Sequence, residues 1–87
     1  MSVKEWRAEI DQLDQTIIEA LGKRVTLARQ IARVKKEQRL PILDETREEE
    51  IRSGVKKLAK AHGLSPLIVV EIIQMILDYS RIEMGAV

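Results

Sequence analysis

Residues 20–35 read ALGKRVTLARQIARVK, and their apolar positions decide the fold. Ala20, Leu27, Ile31 and Val34 fall at alternating steps of four and three once position 24 is counted, and position 24 is an arginine. Upstream, the same stripe runs through Trp6, Ile10, Leu13 and Ile17. Alternation of four and three is the period of a helix packed along its length. A second seam, Ile18, Leu21, Val25, Ala28 and Ala32, runs beside the first, so the apolar face is wide enough to meet more than one partner helix. Ser2 and Glu5 form an S-x-x-E capping box at the start. Pro41 disfavours helical geometry at Leu40, which ends the helix near Gln38. Gly22 lies inside the pattern and is tolerated at some cost. A permanent cation therefore stands where a leucine would pack.

Two shorter helices follow. The second starts between Asp44 and Thr46, either of which can cap it, and Thr46 with Glu49 spells another capping box. Its stripe runs from position 48 through Ile51, Val55, Leu58 and His62, and Gly63 suits the left-handed turn that closes a helix. His62 reads as a capping or surface residue at that end, favoured by the helix dipole. Ser65 before Pro66 is an N-cap and first-turn pair. The run LIVVEII is β-branched, but the Ser-Pro start and the spacing of Ile72, Ile73, Ile76 and Leu77 make it helical. The sequence predicts an all-α chain, a single domain over residues 1–87 with helices at about 3–38, 45–62 and 66–84.

Composition narrows the function. The 87 residues suffice for one small domain, and there is no cysteine to supply disulfide or thiolate chemistry. Net charge is +1 with 33% charged residues, without the basic excess of a nucleic-acid binder. No apolar run is long enough to span a bilayer, and the start MSVKEWRAEID lacks the apolar stretch of a signal peptide, so a cytoplasmic protein is expected. One histidine, no cysteine and no glycine-rich phosphate loop leave no metal cluster and no nucleophilic triad, and no cofactor is expected.

The first helix also raises a problem of size. About 35 residues at ~1.5 Å each span about 50 Å, whereas a compact chain of this length has a radius of gyration near ~12 Å. Both seams run the whole length, so the overhang exposes them unless a second copy covers them. An intertwined homodimer is the simplest cover. A monomer broken at Gly22 is the alternative, but the seams stay in phase across Gly22, which favours the dimer.

Arg24 on the first stripe and Lys35 on the second seam lie 11 residues apart, about 20° around the helix and roughly 16 Å along it. Ala28, Ile31 and Ala32 form a small-residue floor between them. Burying either charge unpaired is costly, so something anionic belongs there. An internal Arg24–Glu48 pair is the ordinary solution, Lys35 alone reads as a snorkelling side chain, and Ser80 alone as a satisfied core hydroxyl. Taken together, three helices place polar groups on one aliphatic face with cations in excess, which fits a pocket for a small anionic ligand. An enzyme built this way works by fixed charges.

The chain resembles the all-helical class of chorismate mutases over about residues 5–84. The likeness rests on Arg7, Ile10, Leu13 and Asp14, then Arg24, then Lys35, then the D-x-x-R-E segment Asp44–Glu48, then Ser80. The resemblance implies an intertwined homodimer of three-helix chains with two shared sites. It implies a Claisen rearrangement of chorismate, a small dicarboxylate, to prephenate on the route to phenylalanine and tyrosine. By the same resemblance, Arg24 and Arg7 of the partner subunit bind substrate carboxylates. Lys35 meets the ether oxygen and a carboxylate, Glu48 and the backbone at Asp44 hold the ring hydroxyl, Arg47 lines the site, and Ser80 contacts a carboxylate. The family usually carries Gln or Glu one turn after the Ser80 position, sharing the ether oxygen with the lysine. Here that position is Met84, which cannot donate, and the adjacent Glu83 points about 100° away. Relatives that split isochorismate into salicylate and pyruvate are one alternative, and a non-catalytic dimeric helical or regulatory module is another.

Overall fold

The computed structural model describes residues 2–87. The chain is all-helical, with α1 at Val3–Glu37, α2 at Glu45–Ala61 and α3 at Pro66–Gly85, and no strand among the described residues. Each helix starts on a side-chain cap. Ser2 Oγ accepts from Glu5 N at 3.3 Å, Asp44 Oδ1 from Arg47 N at 3.0 Å, and Ser65 Oγ from Ile68 N at 3.4 Å. The expected alternative start at Thr46 is not used. Asp44 caps two residues earlier, so Thr46 already sits inside the first turn. The helix α1 passes through Gly22 unbroken.

Both helix ends before a loop close in the same way. After α2, Gly63 takes a φ of 69°, with Leu64 N bonded to Ala59 O at 2.8 Å and Gly63 N to Lys60 O at 3.2 Å. This doubly bonded left-handed turn is what glycine provides at a helix end. After α1 the same turn is built on Arg39, at φ 56°, with Leu40 N on Lys35 O at 2.8 Å and Arg39 N on Lys36 O at 3.2 Å. A residue with a Cβ pays about 1 kcal/mol or more for that conformation. Pro41 then prevents the helix from continuing. The tight turn starts the α1–α2 connection directly beneath Lys35.

The helix α3 packs against both α1 and α2. The buried residues are Val25, Ala28 and Ala32 on α1, Glu48 and Ala59 on α2, and Leu77 and Ser80 on α3. Small residues at these crossings let the backbones approach closely. All of the buried α1 residues lie in its second half, and residues 2–20 are exposed throughout. Trp6, Ile10, Leu13, Ile17 and Ile18 are each 47% exposed or more. The fold extends over 55 × 23 × 15 Å with a radius of gyration of 16.0 Å, larger than the ~12 Å of a compact chain. Its accessible surface is 7071 Å², against about 5,200 Å² for a compact monomer of this mass. The excess reflects apolar side chains left uncovered on α1, such as Leu13 and Ile17, and on α3, such as Leu67 and Met75. No helix among the described residues is long and apolar enough to cross a membrane.

Candidate active site

A cavity of about 370 Å³ opens between the three helices. From α1 come Arg24, Leu27, Ala28, Ile31 and Lys35, residues that share one helical face by their spacing. The connection adds Ile42 and Asp44, α2 adds Arg47, Glu48 and Ile51, and α3 adds Leu77, Ser80, Arg81 and Met84. Seven of the eight residues singled out in the sequence thus line one cavity: Arg24, Lys35, Asp44, Arg47, Glu48, Ser80 and Met84. Arg7 does not. It lies on the exposed first half of α1, 17 residues before Arg24, or about 25 Å along the axis.

Arg24 is half-buried and donates from Nη1 to Ser80 Oγ at 2.9 Å, while the Ser80 hydroxyl donates to Ile76 O at 2.8 Å. Ser80 is therefore held by its own helix and in turn steadies the guanidinium. Lys35, also half-buried, donates from Nζ to Ile42 O at 3.0 Å. The turn on Arg39 brings that carbonyl back over the end of α1. Ala28 and Ile31 form the floor between the two cations, with Ala32 buried and outside the lining.

Arg24 and Glu48 do not pair. Glu48, 8% exposed, places Oε2 3.0 Å from Arg81 Nε and Oε1 3.7 Å from Arg52 Nη1. The reason is positional: α2 packs on α3, so a guanidinium from α3 reaches the carboxylate, and Arg52 stands one turn along the same helix. Glu48 is thus flanked by two guanidiniums without drawing on Arg24. The cavity then holds four cations, Arg24, Lys35, Arg47 and Arg81, against two acids, Asp44 and Glu48. Asp44 is exposed and already spent on the cap of α2.

Arg81 and Arg52 are site residues that the sequence reading passed over. The signals were present. Leu77, Arg81 and Met84 repeat the step of four and three, with a cation inside an apolar stripe as at Arg24, and Glu48 with Arg52 is an i, i+4 ion-pair spacing. Met84 lines the cavity with no polar group to offer. Glu83 faces away from it and receives Arg29 Nη2 at 2.6 Å and Nε at 3.2 Å. Donation from Arg29, and secondarily from the Tyr79 hydroxyl one turn back, holds the Glu83 carboxyl below the usual carboxylate range, and Glu83 in turn pushes the Tyr79 hydroxyl up. With α3 helical through Gly85 and Glu83 tied to α1, this acid is held away from the cavity. Among the described residues no group of three or more His, Asp or Glu side chains could hold a metal ion.

Similarity to known proteins agrees with this arrangement. The family profile described as chorismate mutase type II matches residues 6–84. A chorismate mutase of Methanocaldococcus jannaschii is 31% identical over 77 residues, covering 88% of this chain and 78% of that protein. A 4-amino-4-deoxychorismate mutase of Streptomyces venezuelae is 30% identical over 78 residues, covering 88% and 76%. A bifunctional chorismate mutase/prephenate dehydratase of Aquifex aeolicus is 40% identical over 58 residues, which are 67% of this chain and 16% of that longer protein. With three helices around one cation-rich cavity and a profile match across nearly all of them, the chain belongs to the chorismate mutase type II family.

Proposed function

We propose that the protein is a chorismate mutase that works as a cytoplasmic homodimer. It rearranges chorismate to prephenate on the route to phenylalanine and tyrosine. The observation that carries the reading is the cavity's charge: Arg81 is engaged with Glu48 and Arg47 with Glu50, which leaves Arg24 and Lys35 facing the cavity with no ion pair among the described residues. A flexible dianion is the ligand such a wall binds. The reaction is pericyclic, so one C–O bond breaks as one C–C bond forms and no group need give or take a proton. Arg24, with Arg7 of the partner subunit, holds the carboxylates and fixes the reactive chair, which removes part of the entropic barrier. The Lys35 ammonium meets the ether oxygen as negative charge grows on it, where water would have to reorganise. Ser80, bonded to Arg24, and Arg47 complete the carboxylate side, and Glu48 with the backbone at Asp44 holds the ring hydroxyl. The exposed α1 face supports the dimer. The chain's roughly 1,800 Å² of excess surface, part of it on α1, would give an interface in the range of obligate dimers.

The direct test is ultraviolet absorbance at the chorismate band. Steady loss, with the new C–C bond seen by NMR in the product, is the expected result. Release of free pyruvate would instead indicate lyase chemistry, and no loss of chorismate or 4-amino-4-deoxychorismate would sink the reading.

Met84 gives a second test. The ether oxygen should be best stabilised by two donors, and Lys35 supplies one. Loss of one preplaced donor typically costs about 100- to 1000-fold in turnover. Met84→Gln has similar volume and adds an amide. It is expected to raise kcat on chorismate, by less than that factor, with little change in KM, because the added bond strengthens mainly in the transition state. Equal or lower kcat would mean that this turn of α3 does not face the ether oxygen.

A further inference from the structure

We infer that Arg81 is a specificity-determining residue, which selects a ligand with a ring hydroxyl over one with a ring ammonium by occupying the carboxylate of Glu48. The inference rests on the proposed reading that Glu48 faces the ring substituent. Similarity to relatives does not decide between these substrates, since relatives named for chorismate and for 4-amino-4-deoxychorismate stand at 31% and 30% identity. The two substrates differ where one carries OH and the other an amine, which is protonated near neutral pH.

Two observations at Arg81 bear on that difference. First, Glu48 is the one buried acid on the cavity wall, and each of its oxygens already faces a guanidinium, Arg81 at 3.0 Å and Arg52 at 3.7 Å. Arg52 is further engaged with Glu49 and with Gln74 Oε1, whereas Arg81 also lines the cavity and touches Asp78. An ammonium brought to Glu48 would meet a carboxylate already neutralised and a guanidinium of like charge beside it. Second, Arg81 Nε is closed off against Glu48, while the side chain as a whole is 33% exposed and lines the cavity. A ligand hydroxyl oxygen can accept from the open part of the guanidinium and donate its own proton to Glu48, whereas an ammonium has only donors and meets that guanidinium as a like charge.

The test compares kcat/KM for chorismate and for 4-amino-4-deoxychorismate in the intact protein and in Arg81→Leu, Arg81→Gln and Arg81→Lys. The unmodified protein should prefer chorismate. The preference should fall about 10- to 100-fold in Arg81→Leu and Arg81→Gln, the range expected for removing a like charge a few ångströms from the amine in a partly screened site. Arg81→Lys keeps the charge and should keep most of the preference. A merely structural role for Arg81 would lower both rates together and leave their ratio unmoved. An unmoved ratio with chorismate still turned over overturns this inference alone, as does an unmodified protein that prefers the amine. If the unmodified protein rearranges neither substrate, the proposed function falls and takes this inference with it.

Discussion

Replacing Arg24 by alanine is expected to lower kcat/KM on chorismate by roughly 200- to 5,000-fold while leaving the fold intact. The size follows from removing one half of a largely desolvated guanidinium–carboxylate pair, about 3–5 kcal/mol. The selectivity follows from what Arg24 touches. Its one side-chain hydrogen bond among the described residues goes to Ser80 Oγ, and Ser80 keeps its own bond to Ile76 O when Arg24 is lost. Glu48 draws its balancing charge from Arg81 and Arg52, so no buried carboxylate is orphaned. The loss of one hydrogen bond, about 1 kcal/mol, is set against relief of a half-buried cation among Leu27, Ala28 and Leu77. The melting temperature should therefore move by only a few degrees, in either direction. Arg24→Lys should recover little of the rate, because a point charge does not reproduce the planar fork. Steady-state kinetics and thermal unfolding of the same samples decide the matter. A large fall in melting temperature with a rate loss to match would make Arg24 a structural residue, and the reading of the cavity as its ligand's site would fail.

That separation could not have been argued from the sequence. The stripe exposes Arg24 as anomalous, because a step of four and three leaves no other place for it on the helix. The pairing of charges is a different kind of information. Whether Glu48 meets Arg24 or Arg81 depends on α2 lying against α3, a packing choice that period alone does not carry. Arg81 follows the same stripe as Leu77 and Met84, but a cation next to Ser80 near a helix end looks like a solvated residue until Glu48 is found 3.0 Å from it. The end of α1 was readable from Pro41, while the left-handed turn on Arg39 was not, since no glycine marks it. That turn sets Ile42 O against Lys35 Nζ, so the sequence located the lysine without showing what holds it. Uncovered surface was legible in advance, because an unbroken helix of this length outruns any globule that 87 residues can make.

Arg7 and Arg24 variants, each nearly inactive alone, are expected to restore activity when refolded together. Arg7 sits about 25 Å along α1 from Arg24, beyond the reach of any arginine side chain into its own chain's cavity. An antiparallel pairing of two α1 helices about a two-fold axis near residues 15–16 brings the partner's Arg7 level with Arg24. It also covers Trp6, Ile10, Leu13 and Ile17, which are otherwise exposed. In such a dimer one site takes Arg24 from one chain and Arg7 from the other. A heterodimer of Arg24→Ala with Arg7→Ala then carries one site with both substitutions and one with neither. Random reassembly makes half of the dimers mixed, so about a quarter of the unmodified rate should return, from a background lower by orders of magnitude. Sedimentation equilibrium on the unmodified protein should give twice the 10.0 kDa chain mass. A folded, active species at the single-chain mass would exclude a shared site. If the protein is a dimer and the refolded mixture stays inactive, with mixed dimers confirmed by mass spectrometry, then Arg7 does not complete the partner's site, and the carboxylates must be held by the cations of one chain.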